Sequence, residues 1–335
     1  MKKFGLILSL AFAVLVVPGF AQRAVPAPTT PTLMAHGQQM ARHYGNRVWP
    51  RFSQTPFPAL LLEAEGERFF CPYSKPEGFI FSGADVVTGC RVYYRAANHF
   101  AKETQVTLMF SGSEPVVVMG TPELSESNVA AWMATLLHEH FHQYQMNWSG
   151  YKKAIARLSL ENTGAGKNWR LQYPFAYDDV KTGNLLALLS SQLAEILMQP
   201  DRDVAKKMII RYARLRPLVF GQLAEGQRRY LEFQLWQEGV ARYTELAMVE
   251  FAASDTTAIW MLQIDFAALG ANLRKNMIEH LLDSGLSQHQ RAYFYSFGAA
   301  EALVLDMMDI NWRDRYFEHP ASLSAFFQEI AAYPT

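Results

Sequence analysis

The stretch "LLHEHFHQYQ", Leu136 to Gln145, gathers three of the nine histidines of this 335-residue chain. Ahead of it, "TPELSESNVAAWMATL" offers Ser125 or Ser127 as a helix cap, acidic residues for the first turn and then an apolar-periodic run. The pattern predicts a helix over 126–147. At about 100° per residue, His138 and His142 then stand about 40° apart, one turn above the other, so two imidazoles can converge on one ion. Glu139 lies about 60° round from His142, close enough to reach a water on that ion without binding it. This is the HExxH pattern, in which two histidines hold zinc and the glutamate takes a proton from the zinc-bound water. His140 points to the opposite side and fits a packed histidine. Taken alone, the motif also fits a polar helix face that holds no metal.

A catalytic zinc needs a third protein ligand and an open position. "LWQEGVARYTE", Leu235 to Glu245, supplies a candidate in Glu238, an acid among Trp236, Val240, Ala241 and Tyr243 in a helix-forming segment. Such an acid is costly to bury unless it is paired or metal-bound, and Gly239 beside it permits close approach of another helix. A surface acid on a helix is the alternative reading of Glu238.

With these segments the chain resembles the gluzincin metallopeptidases, which share a thermolysin-like metal core. "HEHFH" matches HExxH, and "WQEGVARY" is similar to the W-x-x-E-G-x-A segment that carries the glutamate ligand of aminopeptidase-type members. The resemblance implies one zinc ion held by His138, His142 and Glu238, with Glu139 as general base. "YFYSFGAAEALVLDM", Tyr293 to Met307, is similar to the Y-x-x-G helix whose tyrosine stabilises the oxyanion there. By that likeness Tyr295 is the catalytic donor, with Tyr293 second. Glu245 sits two helical turns past Glu238 and could hydrogen-bond a zinc-ligating histidine or be a solvated acid. "EPVVVMG", Glu114 to Gly120, falls where gluzincins place an edge strand that pairs with an extended peptide, or is ordinary core. The resemblance spans roughly 120–310 through motifs rather than continuously. Glu238 follows His142 at a far longer spacing than in common aminopeptidases, "NEG" is replaced by "QEG", and no motif for an N-terminal amine is present.

The remaining sequence bounds the frame for this site. Half of the residues are hydrophobic, and Lys+Arg and Asp+Glu balance at 31 each. A folded core is expected and a nucleic-acid partner is not. Residues 1–21, "MKKFGLILSLAFAVLVVPGFA", combine lysines, a short apolar run and small residues in the order of a signal peptide; an uncleaved membrane anchor is the alternative. Residues 22–32, rich in Pro, Ala and Thr, read as a linker. A short helix over "LMAHGQQMARHYG", stopped by Gly45, opens a β-rich part over 33–122, and helical spacing takes over through 123–335. Pro174, Pro200, Pro217 and Pro320 fall at helix edges. The predicted fold class is α+β: a small, mostly antiparallel N-terminal sheet followed by a mainly helical body. Cys71 and Cys90 could form one disulfide in an oxidising compartment or remain two buried thiols.

These readings lead to an exported zinc metallohydrolase, periplasmic or secreted, with a peptide or protein substrate and no membrane span once the signal is removed. A non-catalytic exported binding or scaffold protein retaining the zinc core is the alternative, and a metal-dependent hydrolase acting on something other than peptides is a third.

Overall fold

The computed structural model describes residues 29–110, 114–161, 168–255, 264–283 and 285–334. The expected signal peptide and the first residues of the expected linker lie outside the described residues. The chain enters on α1 (Thr30–Val48), capped by the Thr29 hydroxyl, so the last three residues assigned to the linker are already helical. Gly45 does not stop this helix. It lets Phe52 pack against it, because a Cβ there would lie 2.5 Å from the Phe52 ring.

Within the β-rich part the described residues form six strands: β1 (Ala59–Glu63), β2 (Gly66–Phe70), β3 (Ile80–Ala84), β4 (Arg91–Arg95), β5 (Gln105–Phe110) and β6 (Glu114–Gly120). Their order is β3-β4-β2-β1-β6-β5, and every pairing is antiparallel except β1 with β6. The fold is thus α+β with a mainly antiparallel sheet, as expected. A disulfide joins Cys71 to Cys90 across the start of β4. One face of the sheet presents Ala59, Leu61, Phe70, Val117 and Met119 to the helices, while Leu60, Leu62, Phe69, Val116 and Val118 pack on the other face under Phe79 and Phe100. Burial on both faces explains the unbroken apolar runs of β1 and β6. Of the two readings of "EPVVVMG", edge strand or ordinary core, the second holds: β6 lies between β1 and β5 and is wholly buried, with β3 and β5 at the two edges of the sheet.

The helices follow as α2 (Val129–Asn147), α3 (Tyr151–Ala156), α4 (Trp169–Gln172), α5 (Val180–Met198), α6 (Arg202–Phe220), α7 (Glu225–Gln234), α8 (Val240–Ser254), α9 (Phe266–Leu282), α10 (Leu286–His289), α11 (Tyr293–Met307) and α12 (Ser324–Ala331). The cap of α2 is Asn128, whose side chain accepts from the Ala131 amide at 2.9 Å; Ser125 and Ser127 spend their hydroxyls on carbonyls of the preceding turn. Pro217 sits inside the last turn of α6 rather than at its edge. From Glu225 to Ser254 the chain is one helical run interrupted by a π-turn, Leu235–Gly239, between α7 and α8.

Polar contacts pin α2 to the sheet. Trp132 Nε1 donates to Gly120 O at 2.8 Å, Thr107 Oγ1 to Glu139 O at 2.7 Å, and Gln143 Nε2 to Pro58 O and Pro115 O at 2.8 and 3.0 Å. On its other side α2 packs on α8, and α1 joins the same body against both. Buried Arg216 of α6 grips Glu301 of α11 at 2.6 and 3.0 Å and Ser324 at 2.7 Å, fixing α11 from behind.

Backbone meets backbone where α11 crosses the π-turn. A Cβ on Gly298 would meet Leu235 O at 2.6 Å and the Gly239 Cα at 2.7 Å, both backbone atoms with nowhere to go. Gly298→Ala is therefore expected to lower stability by roughly 1–3 kcal/mol through forced separation of the two segments. Gly183→Ala in α5, where a Cβ meets nothing within 4 Å, should instead be neutral or stabilising by up to about 1 kcal/mol. Denaturant unfolding of the two variants checks the contrast.

Candidate metal centre

His138, Glu139 and His142 stand on buried turns of α2, and one ligand atom from each lies within 4.8 Å of the others. The π-turn brings Glu238 across from them. Its Oε2 is 3.6 Å from His138 Nε2 and 3.3 Å from His142 Nε2, the position of a ligand shared by both imidazoles. A π-turn inserts one extra residue into a helix and re-aims the side chains around it, and such turns concentrate at functional sites. Glu245, on α8, reaches the far side of the His138 ring, with Oε2 3.4 Å from Nδ1. Arg242 Nη1 in turn donates to Glu245 Oε1 at 2.7 Å.

The second nitrogen of each imidazole settles which atom faces the centre. Gln145 points its amide nitrogen at Trp236 O and Gln237 O, both 3.2 Å, and at the Tyr316 hydroxyl at 2.8 Å. Its Oε1 is thereby turned to His142 Nδ1 at 2.7 Å. An acceptor there requires Nδ1 to carry the proton, which leaves the Nε2 lone pair towards Glu238. Glu245 Oε2, 3.4 Å from His138 Nδ1, favours the same state there. Two Nε2 lone pairs and a carboxylate oxygen are a donor set suited to a borderline divalent ion.

Electrostatics agree with that fit. Burial works against charge on His138, yet hydrogen bonding to Glu238 and Glu245 and the charge of Glu139 outweigh it and raise its pKa to about 9. Burial likewise opposes ionisation of Glu238, but His142 and His138 beside it hold the carboxyl well below the usual range. A positive charge between these groups is favoured by the carboxylates around it. Glu139 Oε2 is buried with no hydrogen-bond partner among the described residues, so it is unspent on the protein.

Tyr295 lies over His138, with ring planes 6° from parallel and centroids 5.7 Å apart, and it is close enough to Glu238 for that carboxylate to act on its titration. Burial, then the charge of Glu238, raise its pKa well above the usual phenol value, so the hydroxyl stays a proton donor. Tyr293 turns away: its hydroxyl donates to Ser190 of α5 at 2.7 Å. His140 faces the opposite side, stacked on Phe57 at 3.7 Å and bonded through Nδ1 to Gln143 Oε1 at 2.7 Å. Burial depresses its pKa to about 4, which keeps it neutral.

The chain matches no family model, no curated protein and no solved structure.

The structure also supplies partners that sequence reasoning passed over. Gln145 was signalled by its i, i+3 spacing from His142, and Arg291 by its i, i+4 spacing before Tyr295. Gln237, whose Nε2 lies 3.4 Å from His142 Nδ1, is tied by the Tyr151 hydroxyl at 2.8 Å and carried no signal beyond its place beside Glu238.

His142→Ala and Glu238→Ala are expected to abolish tight divalent-metal binding. Glu245→Gln should weaken it by about 10- to 100-fold, as loss of a carboxylate behind a ligating histidine does. Chelator competition on the purified variants measures all three. Unchanged affinity in Glu238→Ala would remove it from the ligand set.

Proposed function

We propose that the chain is an exported zinc-dependent metallohydrolase, and that its substrate is a peptide bond. The observation that carries this reading is the position of Glu238 Oε2 between two Nε2 atoms, with the unpartnered carboxylate oxygen of Glu139 beside them. A zinc ion held by His138, His142 and Glu238 would polarise a carbonyl and lower the pKa of a water towards about 7.

Glu139 accepts the proton from the attacking water and delivers it to the leaving amine, as a general base that becomes a general acid. Its backbone is held for that task, because Glu139 O accepts from Thr107 of β5. Tyr295, kept protonated by its surroundings, donates to the oxyanion as charge develops there, an interaction that grows towards the transition state. Glu245 and Gln145 hold the two imidazoles at the angle and tautomer that the ligand role needs.

A peptide substrate is favoured by the edge position of β5, which pairs with β6 alone among the described residues. An extended chain can add to that edge as a further strand, which moves the docking role expected for "EPVVVMG" one strand outward. The Cys71–Cys90 disulfide supports the exported address, since such bonds persist in oxidising compartments.

Glu139→Gln should retain zinc and lose turnover by at least about 100-fold. Tyr295→Phe should lower kcat by about 100- to 1000-fold with little change in KM, as loss of one oxyanion donor does. Steady-state kinetics on a peptide library, with zinc content measured alongside, tests both. Full activity in Glu139→Gln would overturn the mechanism, and bound zinc with no cleavage of any peptide would point to the non-catalytic alternative.

A further inference from the structure

The two oxygens of Glu238 face different partners. Oε2 faces the imidazoles, while Oε1 lies 3.3 Å from Arg291 Nη1, the one ion pair Arg291 makes among the described residues. Arg291 belongs to a single 3₁₀ turn, Gln290–Ala292, just ahead of α11. Its guanidinium lies 5.4 Å from the Tyr295 ring centroid, and its side chain is 29% exposed. The residue that aims it is strained: Gln290 has φ 47° and ψ −125°, a conformation costly for any side chain but glycine. The loop is braced by His289 Nε2 on Asp283 at 3.0 Å and by a Ser287–Asp178 hydrogen bond. Strain of this kind persists where the surroundings enforce it, and here it directs a cation at the candidate ligand.

We infer that Arg291 is a positioning residue that makes Glu238 a one-oxygen ligand, leaving the coordination position its second oxygen would fill open to water and substrate. The inference rests on the metal-centre reading above. Catalytic zinc sites keep such a position open. Arg291 also adds a positive charge on the far side of the carboxylate, which weakens its donation and opposes the metal's own charge. Removing Arg291 therefore acts in one direction on binding and in the other on activity.

Arg291→Met, with Arg291→Lys as the charge-retaining control, is tested in the full-length protein loaded with cobalt(II) or zinc. In Arg291→Met the visible absorption of the cobalt form should weaken, as it does at higher coordination number, and zinc should be held at least as tightly as in the parent. Peptide turnover should fall by about 10- to 100-fold. Arg291→Lys should keep the parent spectrum. Thermal melting of the metal-free proteins reports folding, and Arg291→Gln replaces the methionine variant if that one does not fold. A parent-like cobalt spectrum, or weaker zinc binding, in a folded Arg291→Met protein overturns the role. Failure of the parent itself to bind either metal overturns the metal-centre reading and this role with it.

Discussion

The backbone contact between Gly239 and Gly298 is the constraint on which the centre depends. Neither position has room for a Cβ, so the π-turn and α11 meet at the distance of two bare chains. Glu238 precedes one glycine by a single residue, and Tyr295 precedes the other by three. Their contact sets the Glu238 carboxylate and the Tyr295 phenol against each other and against His138. Buried Arg216 and Glu301 hold α11 in place from the opposite side. Such a pair contributes modestly to stability and strongly to uniqueness of arrangement, because breaking it would strand a buried charge.

A second constraint is the placement of α2 between a sheet and a helical layer. Gln143 and Thr107 fix it to the strands, and Gln145 fixes it to the carbonyls of the π-turn. These polar side chains are buried and bonded, so each removes a freedom that the imidazoles would otherwise have. The result is a site whose nitrogen atoms are oriented before any ion arrives. His140 shows the other use of the same helix: at the opposite face it is stacked, neutral and structural.

Charge in the centre is paired across several elements, while one oxygen of Glu139 is left without a hydrogen-bond partner among the described residues. Glu139, Glu238 and Glu245 face two imidazoles, with Arg242 and Arg291 each on the outer side of one carboxylate. Burial would ordinarily neutralise acids in such a place, yet Glu238 and Glu245 are held ionised by the cations around them. Buried carboxylates in such a place are stable only beside cations, and Arg242, Arg291 and the imidazoles supply them here.

Much of this was legible from local pattern. Short apolar runs of strand length and period-3.6 spacing separated the sheet from the helices, and HExxH put two imidazoles on one helical face, because both depend only on residues a few positions apart. Other features needed the assembled fold. Which strand lies at the edge depends on pairing between segments distant in sequence, and β6 proved interior because β1 pairs with it in parallel. The cap of α2 went to Asn128 because Ser125 and Ser127 had nearer carbonyls to bond. The extra residue of the π-turn, the tautomers set by Gln145 and Glu245, the choice of Tyr295 over Tyr293 and the reach of Arg291 to Glu238 all arise from packing between elements. By itself the sequence determined which side chains could do chemistry and the local helix faces that carry them. Tertiary structure alone decided which of them meet, since a contact across the chain is fixed by the closure of backbones such as Gly239 on Gly298, and local spacing holds no record of that distance.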